Sequence, residues 1–118
     1  MKENRLVDLS RQYAVTVVST CTAIKERGKS NALVNRFIRS GTSIGANIHE
    51  ANYASSRADF INKLQIALKE CYETEYWIGI FRDTEMISED EYHRLYAEES
   101  KIRILLISSI NTAKENNK

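Results

Sequence analysis

Hydrophobic residues recur every three or four positions along most of the chain, the spacing that places side chains on one face of an α-helix. The first such stretch runs from about residue 4 to residue 27 and predicts a long helix. Gly28, Lys29 and Ser30 interrupt the pattern, with Gly28 expected to cap this helix and Ser30 expected as the N-cap of the next. The apolar face of the first helix is formed by Leu6, Leu9, Tyr13, Val17, Thr20 and Ile24.

Two further helices are predicted on the same grounds. The second is expected over residues 31–54 and ends at the serine pair 55–56. Ser56 followed by Asp59 is close to a capping box, so the third helix is expected over residues 57–85. Its main apolar seam consists of Phe60, Leu64, Ala67, Cys71, Thr74, Ile78 and Phe81. A second apolar set indicates either a wide core face or an interface between subunits, and it consists of Ile61, Leu68, Tyr72, Tyr76 and Trp77.

The segment from Ser88 to Glu91 is a full capping box and predicts the start of a fourth helix, which the apolar pattern carries to about Ala113. Residues 115–118 are expected to fray. Because short turns join the four helices, neighbouring helices must run antiparallel, and we predict an all-α, up-down-up-down four-helix bundle. The chain has 118 residues with no proline and four glycines, which favours long helices within a single domain over residues 1–118.

Composition adds little to this picture. Apolar residues make up 42% of the chain and charged residues 28%, ordinary values for a globular protein. No apolar run reaches the ~18 residues of a membrane span, and the N-terminus lacks the apolar core of a signal peptide, so a cytoplasmic protein is expected. Cys21 and Cys71 fall on apolar stripes and are interpreted as buried thiols in a reducing compartment.

Charge is distributed unevenly along the chain. Residues 1–47 carry eight basic and three acidic side chains, a net charge of +5, whereas residues 48–118 carry a net charge of −4. The basic residues near the first turn and on the second helix could contact the phosphates of RNA or another nucleic acid, and these candidates are Lys25, Arg27, Lys29, Arg36 and Arg39. Alternatively, Arg39 forms an ion pair with Glu70 or Glu73 of the third helix.

Small residues crowd the middle of the second helix. Gly41 and Gly45 lie four residues apart, and each costs roughly 1 kcal/mol relative to alanine inside a helix. Close approach of another backbone would compensate for this cost, as in GxxxG packing. The partner is either another helix of the same bundle or another subunit. The other residues assigned to helix packing or assembly are Asn47, Glu50, Glu70, Glu73, Tyr76 and Trp77.

Candidate chemistry is sparse. The Gly-Lys-Ser sequence at 28–30 matches the end of a phosphate-binding loop, but that loop must follow a strand, and here it follows a helix. Asp90 and His93 lie three residues apart, yet a di-iron bundle requires Glu-x-x-His from two helices. No arrangement of nucleophile and base is evident. We therefore expect no enzymatic activity, cofactor, metal, membrane or small-molecule substrate.

Several motifs together resemble one bacterial family. These are Arg39-Ser40-Gly41-Thr42-Ser43-Ile44-Gly45-Ala46-Asn47-Ile48, Glu50-Ala51, Phe60-x-x-Lys63, and Ala67-Leu68-Lys69-Glu70-Cys71-Tyr72-Glu73-Thr74-Glu75-Tyr76-Trp77. They are similar to the four-helix-bundle proteins of the 23S rRNA intervening-sequence family, most densely over residues 36–81. Many members have glycine at the position of Ala51, so the second helix is expected to run longer here.

The resemblance implies a ring-like homopentamer. It also implies relatedness to accessory proteins of diversity-generating retroelements, similar pentamers that bind nucleic acid and a reverse transcriptase. It brings no catalytic residues. Two hypotheses follow: a non-enzymatic homo-oligomer that contacts nucleic acid through residues 25–39, or a protein-interaction scaffold whose basic residues are engaged in ion pairs.

Overall fold

The computed structural model describes residues 2–29 and 32–116, with side chains from residue 5 onward. These ranges form helices and connecting turns, and no strand occurs within them. The helices are α1 (Lys2–Glu26), α2 (Ala32–Ala51), α3 (Arg57–Asp83) and α4 (Glu89–Asn116). The predicted all-α fold is confirmed.

Consecutive helices run antiparallel, because residues late in one helix contact residues early in the next. Each helix also packs against only two others, with α1 closing the circle onto α4, as far as the described residues extend. The molecule measures 51 × 21 × 20 Å, which is two helix diameters in each short direction. Two contacts fix the direction of each consecutive pair of helices. For α1 and α2 they are Val17 with Gly41 and Ser10 with Gly45. For α2 and α3 they are Arg39 with Glu73 and Glu50 with Lys63, and for α3 and α4 they are Glu75 with Arg103 and Arg57 with Ala113.

The end of α1 follows the prediction. Gly28 has a φ of +74°, a left-handed conformation that favours glycine. Its N–H donates to the Lys25 carbonyl at 2.9 Å, and the Lys29 N–H donates to the Ile24 carbonyl at 3.2 Å, which is the hydrogen-bond pattern of a Schellman motif. Ser30, the expected N-cap of the next helix, lies outside the described residues.

The end of α2 does not follow the prediction. The helix stops at Ala51 rather than Ala54, so the expected extension through Ala51 is wrong. The N–H groups of Asn52, Tyr53 and Ala54 donate to carbonyls only three residues back, which tightens the chain into turns. Ala51 itself is buried, with 3% of its surface exposed, so it completes the core instead of prolonging the helix.

The start of α3 and the turn before it are held by side-chain caps. The Ser56 hydroxyl accepts from the Asp59 N–H at 3.0 Å, and the Asp59 carboxylate accepts from the Ser55 N–H at 3.2 Å. The predicted N-cap is confirmed, although the carboxylate reaches Ser55 rather than the N-cap residue itself. The first of these bonds satisfies a backbone donor that the first turn of a helix leaves free.

The α3–α4 turn contains a strained residue. α3 ends at Asp83 rather than at residue 85, and Glu85 takes a φ of +61°, a conformation that a side chain disfavours. The Met86 N–H then donates to the Phe81 carbonyl at 2.8 Å, which closes a second Schellman pattern without glycine.

α4 begins with the predicted capping box and ends later than predicted. The Glu91 N–H donates to Ser88 Oγ at 3.1 Å, and the Ser88 N–H donates to Glu91 Oε1 at 2.9 Å. The helix continues to Asn116, three residues past Ala113, so Glu115 and Asn116 are helical rather than frayed. Residues 117–118 lie outside the described part of the chain.

The core fills the space between the four helices with aliphatic and aromatic side chains. At its centre, Phe37 of α2 and Phe81 of α3 meet edge to face, with ring centroids 5.5 Å apart. Within this core, the Thr74 hydroxyl donates to Ser40 Oγ at 3.0 Å, and Ser40 Oγ in turn donates to the Phe37 carbonyl, so both buried hydroxyls are satisfied. The largest fully buried apolar side chains are Tyr13, Phe37, Phe81, Ile24, Ile44, Leu64, Ile78, Leu95, Ile102 and Leu106.

Candidate functional site

Three of the five basic candidates lie around the α1–α2 turn, and two of those three contact the α3–α4 end of the bundle. Arg27 forms a hydrogen-bonded ion pair with Glu91, with Nη1 and Oε1 3.2 Å apart. Lys29 Nζ donates to the Glu85 carbonyl at 3.1 Å. Lys25, in the last turn of α1, is exposed and makes no ion pair among the described residues. Two of the three cations therefore tie the turns at this end of the bundle together.

Arg39 is held between two carboxylates of α3. Its guanidinium lies 2.6 Å from Glu73 and 3.3 Å from Glu70. The Trp77 indole N–H donates to the same Glu73 oxygen at 3.1 Å. The hydrogen bond from Trp77, together with the Arg39 charge, lowers the pKa of Glu73. The structure therefore brings together three residues assigned to packing and one assigned to nucleic-acid contact.

Arg36 lies three residues before Arg39, and its side chain is exposed. It makes no ion pair within the described part of the chain. With Lys25, it is one of two basic candidates with a charge open to a partner. These two residues lie on different helices, Lys25 on α1 and Arg36 on α2.

The two glycines of α2 face α1 of the same chain. A Cβ on Gly41 would lie 2.8 and 2.9 Å from the two Cγ atoms of Val17. A Cβ on Gly45 would lie 3.1 Å from the backbone oxygen of Ser10. Of the two partners left open by the sequence, the structure places the close approach inside the bundle.

Two other packing candidates also make contacts within the chain. Glu50 Oε1 accepts from Lys63 Nζ at 2.9 Å, which links the end of α2 to the start of α3. Asn47 Nδ2 donates to the Ser43 carbonyl one turn earlier, at 2.9 Å, so it bonds within its own helix.

Large apolar side chains are exposed on three helices. On α3, Tyr76 is 63% exposed and packs edge to face against Trp77, with ring centroids 5.1 Å apart. On α1 and α4, the most exposed are Val15 at 60% and Ile104 at 62%. The remaining members on these helices are Val18, Tyr72, Tyr96 and Ile107. Sequence periodicity missed Val15, Ile104 and Ile107, because they lie outside the apolar seams.

Comparisons with known proteins decide the family. The family model described as 23S rRNA-intervening sequence protein matches residues 2–108. The chain belongs to the 23S rRNA-intervening sequence protein family. The resemblance carried by the motifs of α2 and α3 is thereby confirmed.

A solved structure of a related protein has the same fold as this family member. It is a protein of unknown function from the S23 ribosomal protein family of Bacteroides thetaiotaomicron, 46% identical in sequence. The TM-score is 0.92, and the match covers 94% of this chain and 99% of that one. No curated protein matches the chain.

One buried acidic residue was not found by sequence reasoning. Glu99 of α4 is fully buried, and neither of its oxygens accepts a hydrogen bond within the described structure. Arg103 Nε lies 3.3 Å from Glu99 and 2.8 Å from Glu75 of α3. Burial, followed by the adjacent Glu75, raises the pKa of Glu99 to about 9. The sequence signal was its position on the apolar seam between Leu95 and Ile102.

The described residues offer little that could hold a metal ion or a small molecule. The described residues contain no group of three or more potential metal ligands. A pocket of about 130 Å³ lies where the helix ends meet near Leu6, Phe60 and Leu64, and its one charged lining residue, Arg57, lies 3.5 Å from the Ala113 carbonyl. No helix of the described chain is long and apolar enough to cross a bilayer.

Proposed function

We propose that this family member is a non-enzymatic bundle that acts as a homopentameric scaffold. The observation that carries the proposal is the exposure of large apolar side chains on the outer surfaces of α1, α3 and α4. Exposed apolar patches on otherwise ordinary surfaces mark protein–protein contact. The pentameric state comes from the family resemblance.

The first proposed contact surface, the α1 face, consists of Ala14, Val15, Val18, Ser19 and Thr22. These side chains are exposed or half-buried, with Val15 and Val18 the largest. α1 has no charged residue anywhere from Gln12 to Ile24. The centre of a protein interface is depleted in charge, whereas a helix face that meets only water normally carries Lys or Glu.

The second proposed contact surface, the α3–α4 face, consists of Tyr72, Tyr76, Tyr96, Ile104 and Ile107. All five are at least 36% exposed. Tyrosines of this kind supply much of the binding energy at interfaces. Because the two faces differ in composition, a contact between the α1 face of one chain and the α3–α4 face of the next would be heterologous. Heterologous contacts close into rings when the rotation between subunits allows it.

Light scattering of the purified chain and its variants tests this proposal. The wild-type chain should have the mass of several chains, and Val15→Glu or Tyr76→Glu should reduce that mass while circular dichroism retains the helical signal. Both residues are exposed, so a carboxylate there does not disturb the core. Asn35→Glu, at an exposed position of α2 outside both faces, is the matched control and should retain the wild-type mass. A compact wild-type monomer would refute the proposal.

Contact with nucleic acid is the second candidate function. It is favoured by the exposure of Lys25 and Arg36, whose charges have no ionic partner among the described residues. Arg27 and Arg39 would have to leave their carboxylates, although exposed ion pairs contribute only about 0–1 kcal/mol. RNA binding that weakens steeply with salt and is removed by Arg36→Ala with Lys25→Ala would support this candidate. Absence of RNA binding at low salt would contradict it.

A further inference from the structure

The interior of the bundle contains two carboxyl groups and one guanidinium in direct contact. Arg103 Nε lies 2.8 Å from Glu75 Oε2 and 3.3 Å from Glu99 Oε2. Glu75 and Arg103 retain about a fifth of their side-chain exposure, whereas Glu99 has none. If both carboxyls were ionised, the cluster would carry a net negative charge, and one of the two carboxylates would be Glu99, whose side chain is not exposed to water.

We infer that Glu75, Glu99 and Arg103 form a proton-binding site in the bundle, in which Glu99 stays protonated and Glu75 neutralises Arg103. With one proton bound, the cluster has no net charge. Removing that proton leaves two carboxylates to share one guanidinium, and like charges this close cannot both ionise readily.

The ionisable groups near Glu99 on the neighbouring helices are a phenol, a thiol and carboxyls, none of which carries a positive charge. On α1, the fully buried Tyr13 hydroxyl has no hydrogen-bond partner within the described structure, and nearby carboxyl charges add to burial in raising its pKa. On α3, burial and Glu99 raise the pKa of Cys71. On α4, Glu98 adds a further carboxyl close to Tyr13. The buried residues of α2 contain no ionisable side chain, and Arg103 is the cation whose charge lowers the pKa of Glu99.

Proton binding at Glu99 makes folding dependent on pH in a defined direction. A glutamate carboxyl ordinarily has a pKa of 4.5, whereas in the folded chain the pKa of Glu99 is raised to about 9. Between these values the folded chain holds a proton that the unfolded chain has released, so stability falls as pH rises. At the limiting slope, the unfolding equilibrium constant increases about tenfold per pH unit for one such group.

Urea denaturation between pH 5.5 and pH 8 tests the inference. Glu99→Gln keeps the size of the protonated carboxyl but cannot ionise. The free energy of unfolding of this variant should therefore depend less steeply on pH, by the slope that corresponds to about one proton. Glu115→Gln, the same change at an exposed site of α4, is the matched control and should retain the wild-type slope. Equal slopes for wild type and Glu99→Gln would overturn the inference.

Proton release from the wild-type chain provides a second measurement that does not depend on any variant folding. Unfolding at pH 7 in weakly buffered solution, followed with a pH indicator, should release about one proton per chain. Release of no proton would mean that Glu99 is ionised in the folded state, and the proton site would be refuted. This measurement requires the chain neither to assemble nor to bind RNA.

Discussion

Replacing Gly41 by alanine should destabilise the bundle, although alanine is the better helix former. The new Cβ would lie 2.8 Å from Val17 Cγ2, whereas carbon atoms in van der Waals contact lie about 3.5–4.0 Å apart. Val17 is fully buried and β-branched, so it cannot turn away without disturbing the core. Overpacking of this kind costs roughly 1–3 kcal/mol, against a gain of about 1 kcal/mol in helix propensity.

Gly79 provides the matched control for this substitution. It also lies inside a helix, but a Cβ built there meets nothing within 4 Å. Gly79→Ala should therefore show the propensity gain alone and raise the free energy of unfolding by about 1 kcal/mol. Both substitutions add the same methyl group inside a helix, but only the one at position 41 meets a neighbouring side chain. The free energies of unfolding of the two variants should therefore differ by the overpacking cost of roughly 1–3 kcal/mol.

A double-mutant cycle identifies Val17 as the cause. In a Val17→Ala background, Gly41→Ala should lose most of its cost, giving a coupling energy within the range of about 0.5–3 kcal/mol seen for contacting residues. Urea denaturation followed by circular dichroism measures each corner, at one protomer concentration because the proposed assembly would contribute to stability. If Gly41→Ala and Gly79→Ala stabilise equally, or if the coupling energy is zero, the close contact between α1 and α2 is wrong.

Three further predictions concern turns and surface pairs. Glu85→Gly should raise the free energy of unfolding by about 1 kcal/mol in urea denaturation, because it relieves a positive φ and retains the carbonyl that accepts from Lys29; no gain over Glu85→Ala would contradict this. Ser88→Ala should lower it by about 1 kcal/mol by removing the cap of α4, whereas Ser108→Ala, on the exposed surface of that helix, should change little. The pKa of Glu73 is lowered from its ordinary value of 4.5, so the stability that its ionised carboxylate contributes is present above pH 4.5 and is lost on acidification. Glu73→Gln should therefore reduce the fall in melting temperature between pH 5 and pH 3. A fall equal to that of the wild type would contradict the assignment.

Helix starts could be predicted from the sequence better than helix ends. The caps at Ser56 and Ser88 are local, because a side chain bonds a backbone N–H three residues away. The stops at Ala51 and Asp83 carry no such signal, and Glu85 occupies a left-handed position where glycine would have marked the end. These ends depend on where the core closes, and the linear pattern does not encode this.

The candidate site was predictable where charge or size dictated a partner. Two acidic residues on α3 facing one arginine on α2 made the Arg39 ion pair a natural alternative to phosphate contact. Glu99 could not be found in the same way, because an acidic residue on an apolar seam is normally interpreted as an interruption of the core. Its burial depends on Glu75 of a different helix and on a bound proton, and neither appears in the spacing along α4.

The position of the glycines separates folding from assembly in this bundle. Gly41 and Gly45 are used between α1 and α2 of one chain, so the proposed scaffold needs other surfaces for subunit contact. Gly41→Ala should therefore change the unfolding midpoint without changing the mass of the assembly measured at a temperature where the chain is folded. Val15→Glu should instead lower the mass of the assembly, because the Val15 side chain is 60% exposed and contributes little to the core. If the glycine variant instead dissociates a folded assembly, the small-residue stretch lies at a subunit contact, and the division between the two surfaces fails.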